Sequence, residues 1–199
     1  ARSRDKVRCL QLLAAGNVAV PRTVMASDTS HIVRLVEAVG GLPCVIKLLR
    51  GTQGVGVMLA TTMTEARTIV DTFTSLGQEI CLQEFIAESS GRDVRALVVG
   101  DRVVGAMRRQ ARAGEFRSNI HRGGEGSPMT LEPAYRETAV KAAKLVGLDI
   151  CGVDMLEGRD GPRVMELNSS PGFEGLERAT KQDVASEMVK FALEVAARP

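Results

Sequence analysis

Aromatic residues are scarce in this chain of 199 residues: five Phe, one Tyr and no Trp make up 3% of it. Stacking platforms for unpaired bases are correspondingly few, which argues against an RNA-binding surface. Charge of one sign is lacking too. The 26 Lys and Arg nearly balance 24 Asp and Glu, leaving a net charge of +2. That is not the broad basic footprint of a nucleic-acid binder. Only two histidines are present, His31 and His121, so few bases are available to activate a cysteine nucleophile. The four cysteines, Cys9, Cys44, Cys81 and Cys151, are scattered, with no Cys-x-x-Cys pair. Structural zinc is therefore not expected, and buried free thiols in a reducing cytoplasm are. No apolar run approaches the roughly 20 residues of a membrane span. The opening ARSRDK stretch has charge without an apolar stretch, so it does not read as a signal peptide. It also lacks an initiator Met and reads like the middle of a helix, so the chain is expected to be a piece of a longer protein.

What is present is a globular composition, 44% hydrophobic and 25% charged, in a length that suits one domain or two small lobes. Val7, Leu10, Leu13 and Ala14 make a helical stripe in the first residues, ended by Gly16-Asn17. Exposed apolar residues of that helix are expected to pack on a missing domain or a neighbouring subunit. Val24 to Ala26 reads as a short strand. Ser27-Asp28-Thr29 is expected to cap a helix running through Val39. Strands are predicted at Cys44–Leu49, Val57–Ala60 and Ile80–Phe85, with a helix from Thr64 to about Leu76. Asp93–Val99 and Val103–Arg109 read as a hairpin turning at Asp101. Residues 110 to 128 read as a polar loop, too long for a plain connector. Glu132-Pro133 opens a helix ending near Gly147, and Asp183 to Ala197 closes the chain as an amphipathic helix. Strands and helices mix in both halves, so the fold class is α+β with two lobes and a seam near residues 85 to 92.

The stretch from Cys151 to Gly172 organises the chain. Two short apolar runs, Gly152 to Leu156 and Arg163 to Leu167, flank a Gly/Asp/Pro-rich turn, which predicts a β-hairpin. With the turn near Asp160, Asp154 falls opposite Glu166. Asn168, two residues on, shares the face of Glu166. Two carboxylates directly opposite each other repel. A divalent cation reverses that sign, and two carboxylates with an amide oxygen are hard ligands suited to Mg²⁺ or Mn²⁺. The bland alternative is a surface hairpin with its acids in water. The polar Asn-Ser-Ser-Pro-Gly turn directly after the second strand weighs against it.

Gly51-Thr-Gln-Gly-Val-Gly56 is a second candidate. A Rossmann or P-loop turn must open a helix, because the helix N-terminus holds the phosphates. Here Val57-Met-Leu-Ala60 follows, which reads as strand. Strand, glycine loop and strand make a flap whose amides can close over phosphates. Lys47 lies just before it in an apolar run, and a Lys there calls for an anionic partner. The alternative is a Lys reaching solvent from a strand end.

Lys6, Lys47 with the Gly51–Gly56 flap, Gln83-Glu84-Phe85-Ile86 and the Asp154…Glu166-x-Asn168 hairpin together resemble an ATP-grasp fold. Arg117-Ser-Asn-Ile-His-Arg-Gly-Gly124 and Asn168-Ser-Ser-Pro-Gly-Phe-Glu-Gly175 are similar to the RimK branch, whose namesake adds glutamate to the C-terminus of a small-subunit ribosomal protein. The resemblance implies two α/β lobes with the nucleotide between them. Residues 18–87 would be the lobe with the flap and residues 88–199 the lobe with the metal hairpin. Residues 1–17 would lead in from a preceding domain. It further implies that Lys47, Lys6, Gly54 and Gly56 contact the phosphates of ATP. Glu84 and Phe85 would hold adenine through backbone groups, and Asp93 would lie near the ribose. Asp154, Glu166 and Asn168 would hold two Mg²⁺ or Mn²⁺ ions. Arg117, Ser118 and Asn119 would lie by the phosphates, with Arg117 and Asn168 serving the reaction itself.

The implied reaction is ligation: a carboxylate becomes an acylphosphate with loss of ADP, and an amine then displaces phosphate. Arg102, Arg108, Arg109, Arg112, Arg117 and Arg122 crowd one segment. Arginine binds carboxylate bidentately, so Arg108, Arg109, Arg112, Arg117 and Arg122 are candidates to hold glutamate or an acidic tail, against the alternative of a solvated loop. His121 is a candidate for phosphate, and His31 reads as a surface residue. The implied partners are glutamate and the C-terminal tail of a small-subunit ribosomal protein, without membrane or direct nucleic acid. A dimer or tetramer is expected. Three rivals stand: the same chemistry on a small amino-acid or coenzyme acceptor, a non-catalytic ATP-binding module, and an RNA-binding domain using the arginines.

Overall fold

The computed structural model of the chain describes residues 5–50, 55–118 and 124–198. The chain divides into two compact units, residues 21–87 and residues 1–20 with 88–199.

The smaller unit is a four-stranded antiparallel sheet in the order β1-β4-β2-β3, where β1 is Thr23–Ala26, β2 Cys44–Leu48, β3 Val57–Ala60 and β4 Ile80–Glu84. Helices α2 (Ile32–Ala38) and α3 (Met63–Ser75) supply Ile32, Val36, Val70 and Phe73 to a core closed by Ile46, Ile80 and Leu82. Helix α3 starts where it does because of a capping box: the Thr62 hydroxyl accepts from the Glu65 amide while the Glu65 carboxylate accepts from the Thr62 amide. Helix α2 starts later than its Ser-Asp-Thr signal predicts. Asp28 accepts from the Ser30 amide at 2.7 Å, a local turn that uses the capping oxygen before the helix begins. His31 caps it without a side-chain bond.

The larger unit is a five-stranded antiparallel sheet in the order β7-β6-β5-β8-β9. Its strands are β5 (Arg92–Val99), β6 (Arg102–Gln110), β7 (Glu125–Pro128), β8 (Ile150–Gly158) and β9 (Gly161–Asn168). One face carries α1 (Lys6–Ala15) and α4 (Pro133–Val146), which bury Cys9, Leu13, Ala139 and Val146 against Val94, Val98, Cys151 and Val153. Cys9 and Leu13 are buried in this unit's own core, and Leu10 packs against it. The Val164 amide donates to the Ala19 carbonyl at 2.8 Å, fastening the stretch after α1 to β9. On the other face α5 (Glu174–Thr180) and α6 (Val184–Ala196) place Leu176 and Val184 over Leu97, Val99 and Met107.

Strand β7 and helix α5 are not anticipated by the sequence reading. Strand β7 is a four-residue, fully exposed edge, Glu-Gly-Ser-Pro, with no apolar alternation to mark it. Helix α5 is only seven residues long and has no side-chain cap.

Candidate functional site

The hairpin of β8 and β9 closes on a two-residue turn, Arg159-Asp160, with Gly158 opposite Gly161. Gly161 has φ +119°, which favours glycine. From that turn the register runs to Asp154 opposite Glu166 and Gly152 opposite Asn168, with an irregularity between Asp154 and Met155. The two carboxylates face each other as expected, but through the bulge: the turn alone would set Asp154 opposite Met165, and the shift between Asp154 and Met155 brings Glu166 there instead.

Across the sheet the row continues. Arg95 on β5 lies opposite Asp154, and Arg109 on β6 lies opposite Asp93. Arg95 grips Asp154 with two parallel bonds, Nε to Oδ1 at 2.7 Å and Nη2 to Oδ2 at 2.6 Å. Arg109 grips Asp93 in the same way, at 2.6 Å for both bonds. Its Nη2 also lies 3.0 Å from Asp154 Oδ2, and the Ser118 hydroxyl donates to Asp93 Oδ2 at 2.6 Å. Asp93, Arg109, Ser118 and Asp154 are all buried. Burial by itself would raise the Asp154 carboxyl, but Arg109 and Arg95 outweigh it and hold Asp154 below the usual carboxylate range. Arg109 is held charged by the same two carboxylates against its own burial.

Two expectations change here. Arg109 is not a substrate-facing arginine of a solvated loop, because it is 4% exposed and spans two carboxylates. Asp93 does not present its side chain to a ribose in this arrangement, because both oxygens face Arg109 and Ser118. Arg108 also has an internal partner, Glu157 Oε1 at 2.6 Å.

Asn168 completes the row. With its amide turned to satisfy both neighbours, its nitrogen donates to Glu166 Oε1 at 3.0 Å and its oxygen accepts from Arg95 Nη2 at 3.2 Å. The opposite orientation offers only a 3.4 Å contact with Asp154, so the turned amide is the better bonded. Among the described residues no group of three His, Cys, Asp or Glu is placed to hold a metal. The candidate set instead counts an amide as its third member. Its chemistry fits a hard divalent ion: Glu166 and Asn168 are half-exposed, and a carboxylate offers about four lone-pair sites. Arg95 and Arg109 take three of these on Asp154.

In the smaller unit, Lys47 on β2 donates to Gln83 Oε1, and Gln83 Nε2 donates to Thr23 Oγ1 at 2.9 Å. Gly56 ends the flap with φ +72°. A Cβ there would lie 2.3 Å from the Leu48 side chain, so this position requires glycine for both conformation and space. The Leu48 amide donates to the Gly56 carbonyl at 2.9 Å and ties the flap base to β2. At the end of β4, the Glu84 amide donates to the Arg22 carbonyl at 2.8 Å, and the Glu84 carboxylate pairs with Arg22 at 3.1 Å. The resemblance implies an adenine contact through backbone groups here, at the end of a strand held on both sides by β1 and β2. Phe85, next to it, is half-buried.

Lys6 is the first residue of α1 and half-exposed. Arg117 pairs with Glu115 through Nε at 2.9 Å and Nη2 at 2.6 Å, and stacks 5.6 Å from the Phe116 ring centre. Gly54, Asn119, His121 and Arg122 lie outside the described residues. Arg95 is the site residue that sequence reasoning missed. A turn at Asp101 already sets Asp93 against Arg109, and Arg95 shares their face two residues on, so the signal was present.

Solved ATP-grasp ligases share this fold. The D-alanine–D-alanine ligase of Bacillus anthracis superposes with a TM-score of 0.76 over 97% of this chain and 67% of its own, at 16% identity. The ATP-grasp ligase PsnB, solved with a phosphomimetic variant of its minimal precursor, Mg and ADP, gives 0.77 over 96% of this chain and 59% of its own, at 26% identity. The sequence itself matches the family described as the RimK-like ATP-grasp domain over residues 3–192, and the chain belongs to that family. Relatives include a "Probable alpha-L-glutamate ligase" of Hydrogenovibrio crunogenus, 52% identical over 100% of this chain and 65% of that protein. A "Probable alpha-L-glutamate ligase 1" of Shewanella frigidimarina is 53% identical over 96% of this chain and 63% of that protein. The chain spans about half to two thirds of the length of the curated relatives it matches.

Proposed function

We propose that this chain is the ATP-grasp part of an ATP-dependent ligase that joins glutamate, through its amine, to the C-terminal carboxylate of a small-subunit ribosomal protein. The observation that carries the reading is the face of the β8–β9 hairpin that gathers Asp154, Glu166 and Asn168. The family membership and the relatives' names support glutamate as a substrate. PsnB, alike in fold, was solved with a precursor, which favours a peptide acceptor over a coenzyme.

Asp154, Glu166 and Asn168 would hold one or two divalent ions, which neutralise charge on the transferring phosphoryl group. The protein's own groups do the rest. Lys47 and the flap amides near Gly56 bind and orient the triphosphate, with Lys6 as a further cation. The Glu84 carbonyl beside Phe85 selects adenine. Arg117, steadied by Glu115, stabilises the charge that develops when the acceptor carboxylate oxygen attacks the γ-phosphorus and ADP leaves. The glutamate amine then attacks the acyl carbon, phosphate departs with the C–O bond electrons, and the amine gives up a proton. No cysteine or serine nucleophile is required. Four buried free thiols suit a reducing cytoplasm.

The test is ADP release with Mg²⁺ and glutamate, with and without a peptide ending like the ribosomal protein's tail, and the product weighed for added glutamate. Peptide-dependent release with a matching mass gain, absent in Glu166→Ala, is expected. ADP release that follows a small amino acid instead of the peptide would replace the acceptor.

A further inference from the structure

The row across β6, β5 and β8 contains a residue whose place neither the family match nor the relatives explain. Arg109 is 4% exposed and stands between two carboxylates, those of Asp93 and Asp154. One edge of its guanidinium satisfies both oxygens of Asp93, and its Nη2 also reaches Asp154 Oδ2. Asp93 in turn accepts from Ser118, the second residue of the Arg117–Gly124 motif.

We propose that Arg109 is a positioning residue for the metal-binding face, fixing the Asp154 carboxylate from behind and tying it through Asp93 to Ser118. The role rests on the metal reading given above. With Arg95 bonded to both oxygens and Arg109 added to Oδ2, the Asp154 carboxylate cannot rotate, and its free lone pair is on Oδ1. A fixed carboxylate binds a metal better than a mobile one, because ordering the ligand no longer opposes binding. Outer partners of metal ligands act in this way. An exposed lysine could not replace the planar fork that serves two carboxylates at once.

Removing Arg109 alone would leave the buried Asp93 carboxylate without its cation, so the test uses a charge-balanced pair. The variant Asp93→Asn with Arg109→Gln removes one charge of each sign. Mn²⁺ binding is measured by electron paramagnetic resonance of the free ion, without nucleotide, and folding by circular dichroism. The double variant is expected to stay folded while its Mn²⁺ Kd rises about 10–100-fold. Arg109→Lys is expected to fall between it and the unsubstituted chain. Arg102→Gln, which breaks an exposed pair with Glu187, is expected to leave the Kd unchanged. A folded double variant with unaltered Mn²⁺ affinity would overturn the proposal, leaving Arg109 a structural residue. If the double variant does not fold, Arg109→Lys is read in its place, and an unaltered Kd in that variant overturns the proposal equally. Absence of Mn²⁺ binding by the unsubstituted chain would overturn the metal reading first, and this role with it.

Discussion

Glu115 and Arg117 stand two residues apart and hold each other. Side-chain bonds from Arg117 come first among the causes that draw the Glu115 carboxyl down from 4.5 to about 2. A carboxyl depressed in the folded state adds stability above its unfolded pKa and loses it as pH falls through the folded one. The window is therefore pH 4.5 down to about 2. Thermal melts across pH 2 to 7 are expected to show Glu115→Gln melting below the unsubstituted chain at neutral pH, with the gap closing by about pH 2. A gap that persists unchanged at the acid end would mean that the pair is not what the carboxyl contributes. The thiols give a second test at this scale. Burial pushes Cys9 up to about 11 and Cys151 up to about 12, and Cys44 and Cys81 are buried as well. A thiol so placed is a weak nucleophile. Native protein at pH 8 is expected to resist a disulfide reagent that titrates four thiols once it is unfolded, and fast reaction of any one would place that cysteine at the surface.

The strands on either side of Gly51–Gly56 and the β8–β9 hairpin are the elements on which the proposed chemistry rests, and both were legible for the same reason. In each, turn residues sit between two runs that alternate or are apolar, which marks a strand pair, although in β8–β9 it is the bulge at Asp154 that sets Glu166 opposite it. The capped start of α2, the edge strand β7 and the short α5 were not legible. Asp28 had two possible uses for one carboxylate, and β7 and α5 carry too few apolar residues for a period to emerge. At the flap, Gly56→Ala forces a left-handed backbone on a residue with a Cβ and drives that Cβ into Leu48. It is expected to cost about 1–3 kcal/mol in urea unfolding. Unfolding free energies that agree within error would mean that the flap base relaxes freely.

At the scale of the whole chain, the sequence shows which residues are present more clearly than which are used by the protein itself. Arg109 and Asp93 were read as groups for a substrate, and the structure pairs them with each other. Buried charges find partners before they find ligands, since an unpaired charge is costly to bury, and that accounting depends on neighbours from three strands at once. Glu166 and Asn168 stayed readable because they lie on one hairpin and remain half-exposed. Among the described residues no helix is long and apolar enough to cross a membrane. On α6, Val189 and Leu193 are 59% and 66% exposed, one turn apart. The expectation of a dimer or tetramer remains a proposal that sedimentation would check.

The central claim is that the hairpin face binds ATP together with a divalent ion. Titration calorimetry of the chain with ATP, with and without Mg²⁺, tests it most directly, using Glu166→Ala for comparison. Binding that strengthens at least about tenfold with Mg²⁺, and loses that gain in Glu166→Ala, is the expected result. Equal affinity with and without Mg²⁺, or a gain that survives in Glu166→Ala, would contradict it.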